Sequence, residues 1–245
     1  MVHRAKGAAI AAALIAGFAA SVHADINGNP LVVTATTSTG LWSTWTLLPQ
    51  MGQQVGEDWH FQSSSTWSYS FWDQGQYLGS ITNLSVHLYG DPQVHVNFAT
   101  VAGAVATNFT FSSALVSFPA IVGGTANASA GLTIADMDGN GVSLTGNNPG
   151  GFAYRADFNG LVPGGSNYAS FFPGLADPVG TSTNAFAGPS VIPGAVVDMS
   201  ARFSFTLSAN DLVSGTSSFE IVPAPAGAAA LGLGLLAVGR RRRAF

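Results

Sequence analysis

The 245-residue chain has no cysteine. That excludes a disulfide framework, thiolate metal centres and a cysteine nucleophile. Lysine is almost missing too: Lys6 is the one example, and between Asp25 and Glu220 the only Lys or Arg residues are Arg155 and Arg202. Set against twelve acidic residues, this interval carries a net charge of −10. Nucleic acid is a poor partner for such a surface, because binding it requires Lys and Arg to neutralise phosphates. Charged residues are 8% of the chain, against about 25% in ordinary globular proteins. Gly, Ser, Thr and Asn supply the polar surface instead, a composition that suits an extracellular β-protein better than a cytosolic enzyme. The interval also lacks any sustained 3.6-residue apolar period, which argues against long helices.

What remains is strand patterning. In "LSVHLYG", Val86 and Leu88 fall on one face and Ser85, His87 and Tyr89 on the other. "QVHVNFA", "NFTFSSALVSF", "ASAGLTIAD", "GVSLTG", "FAYRADFNG" and "ARFSFTLSA" repeat this alternation between Gly, Pro, Asn and Asp clusters. The expected fold is all-β: a single β-sandwich of jelly-roll-like type over residues 25–220, stabilised by burial alone. The Gly- and Pro-rich interval from Asn147 to Pro193 reads as long surface loops.

Both ends carry export signals. Arg4 and Lys6 precede an apolar run from Ala8 to Ala20, and Val22-His23-Ala24 offers small residues where a signal peptidase reads. Residues 1–24 therefore read as a signal peptide cut between Ala24 and Asp25. At the other end, Gly227 to Gly239 has no polar side chain and Arg240, Arg241, Arg242 and Arg243 follow it. A helix of that length spans about 20 Å, a short transmembrane segment whose arginines stay on the cytoplasmic side.

Residues 221–245 resemble the PEP-CTERM sorting signal of Gram-negative bacteria, which joins a Pro-Glu-Pro motif to a short transmembrane helix and an Arg cluster. Val222, Pro223, Ala224 and Pro225 stand at the motif, with Ala224 where the family carries Glu. The resemblance implies processing by an exosortase, transient membrane anchoring, and delivery to the cell surface or the extracellular polysaccharide matrix. Tails read by rhombosortase are similar, but no Gly-Gly pair precedes this apolar run. Between the signals, the chain looks like the β-rich ectodomains common among such proteins.

Three constellations could carry chemistry. Asp136-Met137-Asp138-Gly139-Asn140-Gly141 matches the opening of a calcium loop, with Asp136, Asp138 and Asn140 as ligands. Position nine is Leu144 and position twelve is Asn147 in place of a bidentate Glu, so the alternatives are a weak calcium site or a hairpin turn. His87 and His95 pair across a hairpin if Gly90-Asp91-Pro92 is its loop, but no third ligand is evident for Zn or Cu. All five tryptophans lie between residues 42 and 72, and Trp59, Trp67 and Trp72 are candidates for stacking on sugar rings. Filling the core is the alternative use of these rings.

No G-x-S-x-G elbow or H-E-x-x-H pair is present. The acidic neighbours Glu57 and Asp58 would point to opposite faces of a strand, unlike the facing carboxyls of a glycosidase. The sequence therefore reads as a non-enzymatic, exported surface or matrix protein without a cofactor, structural or adhesive in role. A carbohydrate-binding module using the 42–77 aromatics and a weak calcium-binding surface protein are the alternatives.

Overall fold

The computed structural model describes residues 25–223, and the expected signal peptide and the sorting tail from Ala224 onward lie outside the described residues. The strands are β1 (Asp25–Thr37), β2 (Trp42–Leu47), β3 (Gln53–Val55), β4 (Asp58–Gln62), β5 (Tyr69–Asp73) and β6 (Gln76–Tyr89). They continue with β7 (Gln93–Ala102), β8 (Thr107–Val122), β9 (Thr125–Ala135), β10 (Val142–Gly146) and β11 (Tyr154–Phe158). The last five are β12 (Ser166–Phe171), β13 (Gly174–Asp177), β14 (Gly180–Val191), β15 (Ala195–Leu207) and β16 (Leu212–Val222). A single 3₁₀ turn at Pro49–Met51 is the only helical element among the described residues, and no helix there is long and apolar enough to cross a membrane.

Two antiparallel sheets pack face to face. The first runs β12-β11-β15-β8-β1-β2, with β10 paired to β13 and β15; the second runs β14-β9-β16-β7-β6-β4-β3, with β5 paired to β6. The chain is thus all-β and forms a two-sheet sandwich. Its strands alternate as pleating requires: on β16, Val213, Ser217, Phe219 and Ile221 are buried while Ser214, Thr216, Ser218 and Glu220 face outward.

A phenylalanine stack joins the sheets. Phe98 from β7 lies 4.0 Å from Phe111 of β8, nearly parallel, and 5.0 Å edge-on from Phe203 of β15. Gly215 makes room for this stack, since a Cβ there would come within 2.4 Å of the Phe98 ring. Aromatic pairs of this kind add about 0.5–1.5 kcal/mol beyond area burial, which helps a core with no covalent staple.

Two expectations need correction. Within the interval 147–193, β11 falls on the expected "FAYRADFNG" strand, while β12, β13 and β14 stand in place of the expected long surface loops. β14 is rich in Ser, Thr, Ala and Gly because it is an edge strand paired only with β9, so it needs few large apolar side chains. The strand boundary also moves outward at the end. Ile221 is 1% exposed and Val222 pairs with Thr125, so both belong to the sandwich, and Pro223 follows it directly.

Candidate functional site

The aromatic region lies where the edge strand β2 meets β5 of the opposite sheet. Trp45 sits 5.5 Å from Trp67 and 5.6 Å from Tyr69, and Phe61 closes on Trp67 at 6.1 Å. Trp67 is half-buried against the core. Trp59 is 3% exposed, and its indole N–H donates to the Pro49 carbonyl at 2.9 Å. It offers no face to a sugar, which removes it from the stacking candidates; the β4 alternation that exposes His60 turns Trp59 inward.

Trp72 does face solvent, at 56% exposure, and packs on Tyr77 at 5.2 Å. Trp42 is more open still, at 63%, and its backbone N–H donates to Asp73 Oδ2 at 2.9 Å. Two open indoles therefore stand on the two strands that this hydrogen bond joins, Trp42 on β2 and Trp72 on β5. Trp42 was not among the stacking candidates of the sequence; its place at the first residue of an edge strand is what exposes it.

The acidic loop 136–141 does not close a hairpin. It carries the chain from β9 in one sheet to β10 in the other. Asp136 Oδ1 accepts backbone N–H groups from Asp138 (3.2 Å) and Gly139 (2.8 Å), and Oδ2 accepts that of Gly141 (3.1 Å). Desolvation pushes the Asp136 pKa up, but the amides of Gly141, Gly139, Asp138 and Asn140 outweigh it and hold the carboxyl below its ordinary value. Asp138 Oδ2 takes the side-chain amides of Asn140 (2.9 Å) and Asn210 (3.0 Å).

A third carboxylate, Asp211, completes this cluster, with ligand-type atoms of all three within 4.8 Å of one another. Asp211 is fully buried; it accepts the Met137 N–H at 3.2 Å and the Ser208 hydroxyl. The carboxylates are thus engaged in holding the loop to the β15–β16 turn. Asp211 stands far from the motif in sequence, so spacing alone could not reveal it.

The outer face of the second sheet forms an open trough of about 580 Å³. Strand register sets Phe186, Ser129, Ser218, His95, His87 and His60 in one line across β14, β9, β16, β7, β6 and β4. The expected pairing of His87 with His95 is present. His60 adds the third imidazole, its ring 5.8 Å from that of His87. The sequence hid this neighbour because β4 reaches β6 across the whole of β5.

No family model and no curated protein matches the chain. Among solved structures, one of infectious bursal disease virus, Gx strain, aligns with 91% of this chain and 88% of its own at 11% identity and a TM-score of 0.19. The Gt strain aligns over 91% and 70% at 10% identity and a TM-score of 0.20. Likeness at that level carries no argument about fold or function.

Proposed function

We propose that this chain is an exported, non-enzymatic protein of the cell surface or extracellular matrix, structural or adhesive in role, which holds neutral polysaccharide at the β2–β5 seam. The observation that carries this reading is the exposure of Trp42 and Trp72 beside Asp73. Broad indole faces left in water on a body this poor in charge suit the apolar faces of sugar rings, with Asp73 placed to accept a hydroxyl. The net −10 of the interval favours neutral over acidic polymers.

The route to the surface rests on the terminal motifs: signal peptidase at Ala24–Asp25, then an exosortase-type enzyme acting at Pro223-Ala224-Pro225 while Arg240 to Arg243 stay inside. Repeated crossings between the sheets, as from β8 to β9 to β10, support the jelly-roll-like reading of the sandwich. The non-enzymatic reading draws on Asp58, whose Oδ1 is occupied in accepting the Gly90 N–H at 2.9 Å.

Affinity electrophoresis in gels containing neutral matrix polysaccharide tests the binding claim. The chain should be retarded, and Trp42→Ala or Trp72→Ala should restore most of its mobility while Trp45→Phe does not. Equal retardation of both alanine variants, or none for the parent chain, contradicts it.

A further inference from the structure

Residues 25–223 contain three histidines, and all three are neighbours. His60, His87 and His95 occupy opposed positions on the adjacent strands β4, β6 and β7. Each sits between inward-facing residues, Trp59 and Phe61, Val86 and Leu88, or Val94 and Val96, so all three rings lie on the outer face. The other two histidines of the chain, His3 and His23, lie in the expected signal peptide.

We propose that this row binds a divalent first-row transition ion of the borderline class, Cu2+, Ni2+ or Zn2+, with His87 as the central ligand and His60 and His95 as its flanking ligands. The site is independent of the polysaccharide reading and lies on a different part of the surface. Imidazole nitrogen is the donor that such ions prefer where thiolate is lacking, and this chain has no cysteine.

Polar neighbours occupy one nitrogen on each of two rings and leave the other free. The Tyr89 hydroxyl is 3.0 Å from His87 Nδ1. With Nδ1–H donated to that oxygen, the Nε2 lone pair of His87 is left for a metal. Ser218 Oγ and Gln93 Oε1 lie 3.2 and 3.3 Å from His95 Nε2, leaving Nδ1 of that ring open. The Tyr89 ring stands beside both, 5.8 Å from His87 and 5.2 Å from His95. Burial, followed by the adjacent imidazole, lowers the pKa of both His87 and His95. Neutral imidazole is the form that ligates.

The rings are spread along the row rather than converged on a point. Two imidazoles sharing one ion bring their nitrogens to about 3.3 Å from each other, given metal–nitrogen distances near 2.0–2.1 Å. Binding one ion therefore requires the His60 and His95 side chains to turn toward His87, with His95 moving off its Ser218 and Gln93 contacts.

The test is calorimetric titration of the full chain with Cu2+, Ni2+ and Zn2+ at neutral pH, free of any histidine tag and carrying His3→Ala and His23→Ala. One ion should bind per chain, tightest for Cu2+, with two or three nitrogens coupled in the Cu2+ electron paramagnetic resonance spectrum. His87→Ala should abolish saturable binding, and His60→Ala or His95→Ala should weaken it at least tenfold. Tyr89→Phe, which removes an outer-shell partner, should cost about 10-fold or more. Asp138→Ala should change nothing. Absence of saturable binding, or binding by His87→Ala equal to that of the parent, overturns the proposal.

Discussion

Arg155 and Arg202 face each other in register across β11 and β15. They are the only Lys or Arg side chains among the described residues, so like charges meet where the rest of the body is acidic. One buried carboxylate makes this tenable: Asp157 is fully buried and its Oδ1 accepts from Arg155 Nε at 2.6 Å. Arg202 donates instead to Asn148 Oδ1 at 2.7 Å. Burial and then the Arg155 charge lower the Arg202 pKa, and Asp157 works against both. The pair clamps the β11–β12 loop to the first sheet, since Arg155 and Arg202 also reach the Gly165 and Val162 carbonyls.

Asp157→Asn therefore leaves two adjacent guanidinium groups without a counter-charge. Removing one partner of a buried pair costs about 3–5 kcal/mol, and urea unfolding should show a loss of that order. Arg155→Met combined with Asp157→Leu should be less destabilised than Asp157→Asn alone. The reverse order contradicts this account of the clamp.

The acidic loop is a latch between the β9–β10 connection and the β15–β16 turn. Asp211→Ala strands the Met137 N–H and leaves the Ser208 hydroxyl only its Ser143 partner, and should cost about 1–3 kcal/mol. Calcium should leave the melting temperature of the parent chain unchanged. A calcium-dependent rise that disappears in Asp138→Ala would instead establish the loop as a binding site.

The histidine row should make stability depend on pH. The pKa of His87 is lowered by burial and then by His60, and that of His95 by burial and then by His87. As pH falls through the ordinary imidazole value near 6.5, the unfolded chain takes up protons that the folded chain still refuses, so stability falls. It is fullest above that value, and the decline ends below the folded pKa values. The groups facing these rings are His60, Tyr89, Gln93 and Ser218, with the Glu220 carboxylate held by Gln93 Nε2 at 3.2 Å and Asp58 two residues from His60 on β4. Urea midpoints measured between about pH 7.5 and 5 should drop for the parent chain and flatten in His87→Gln combined with His95→Gln. Equal slopes would contradict this.

Local alternation made the sandwich readable, because a half-buried antiparallel strand shows its inward face every second residue. It placed Val86 and Leu88 inside and paired His87 with His95 correctly. It failed at β14, where an edge strand built of Ser, Thr, Ala and Gly resembles loop in composition. Contacts across long sequence intervals were also beyond it. Asp211 joins Asp136 through sheet packing, and His60 joins His87 across β5, so neither association leaves a spacing signal. Tryptophan clustering identified the aromatic region, but whether an indole faced core or water depended on strand phase, which sent Trp59 inward and Trp72 outward.

Export and sorting underlie the proposed role most directly, and the intact mass of the protein recovered from cell surface or culture medium tests them. The prediction is a chain that begins at Asp25 and has lost Arg240 to Arg243 through a cut beyond Val222. Recovery of the whole 245-residue chain from the cytosol, with both ends uncut, would contradict it.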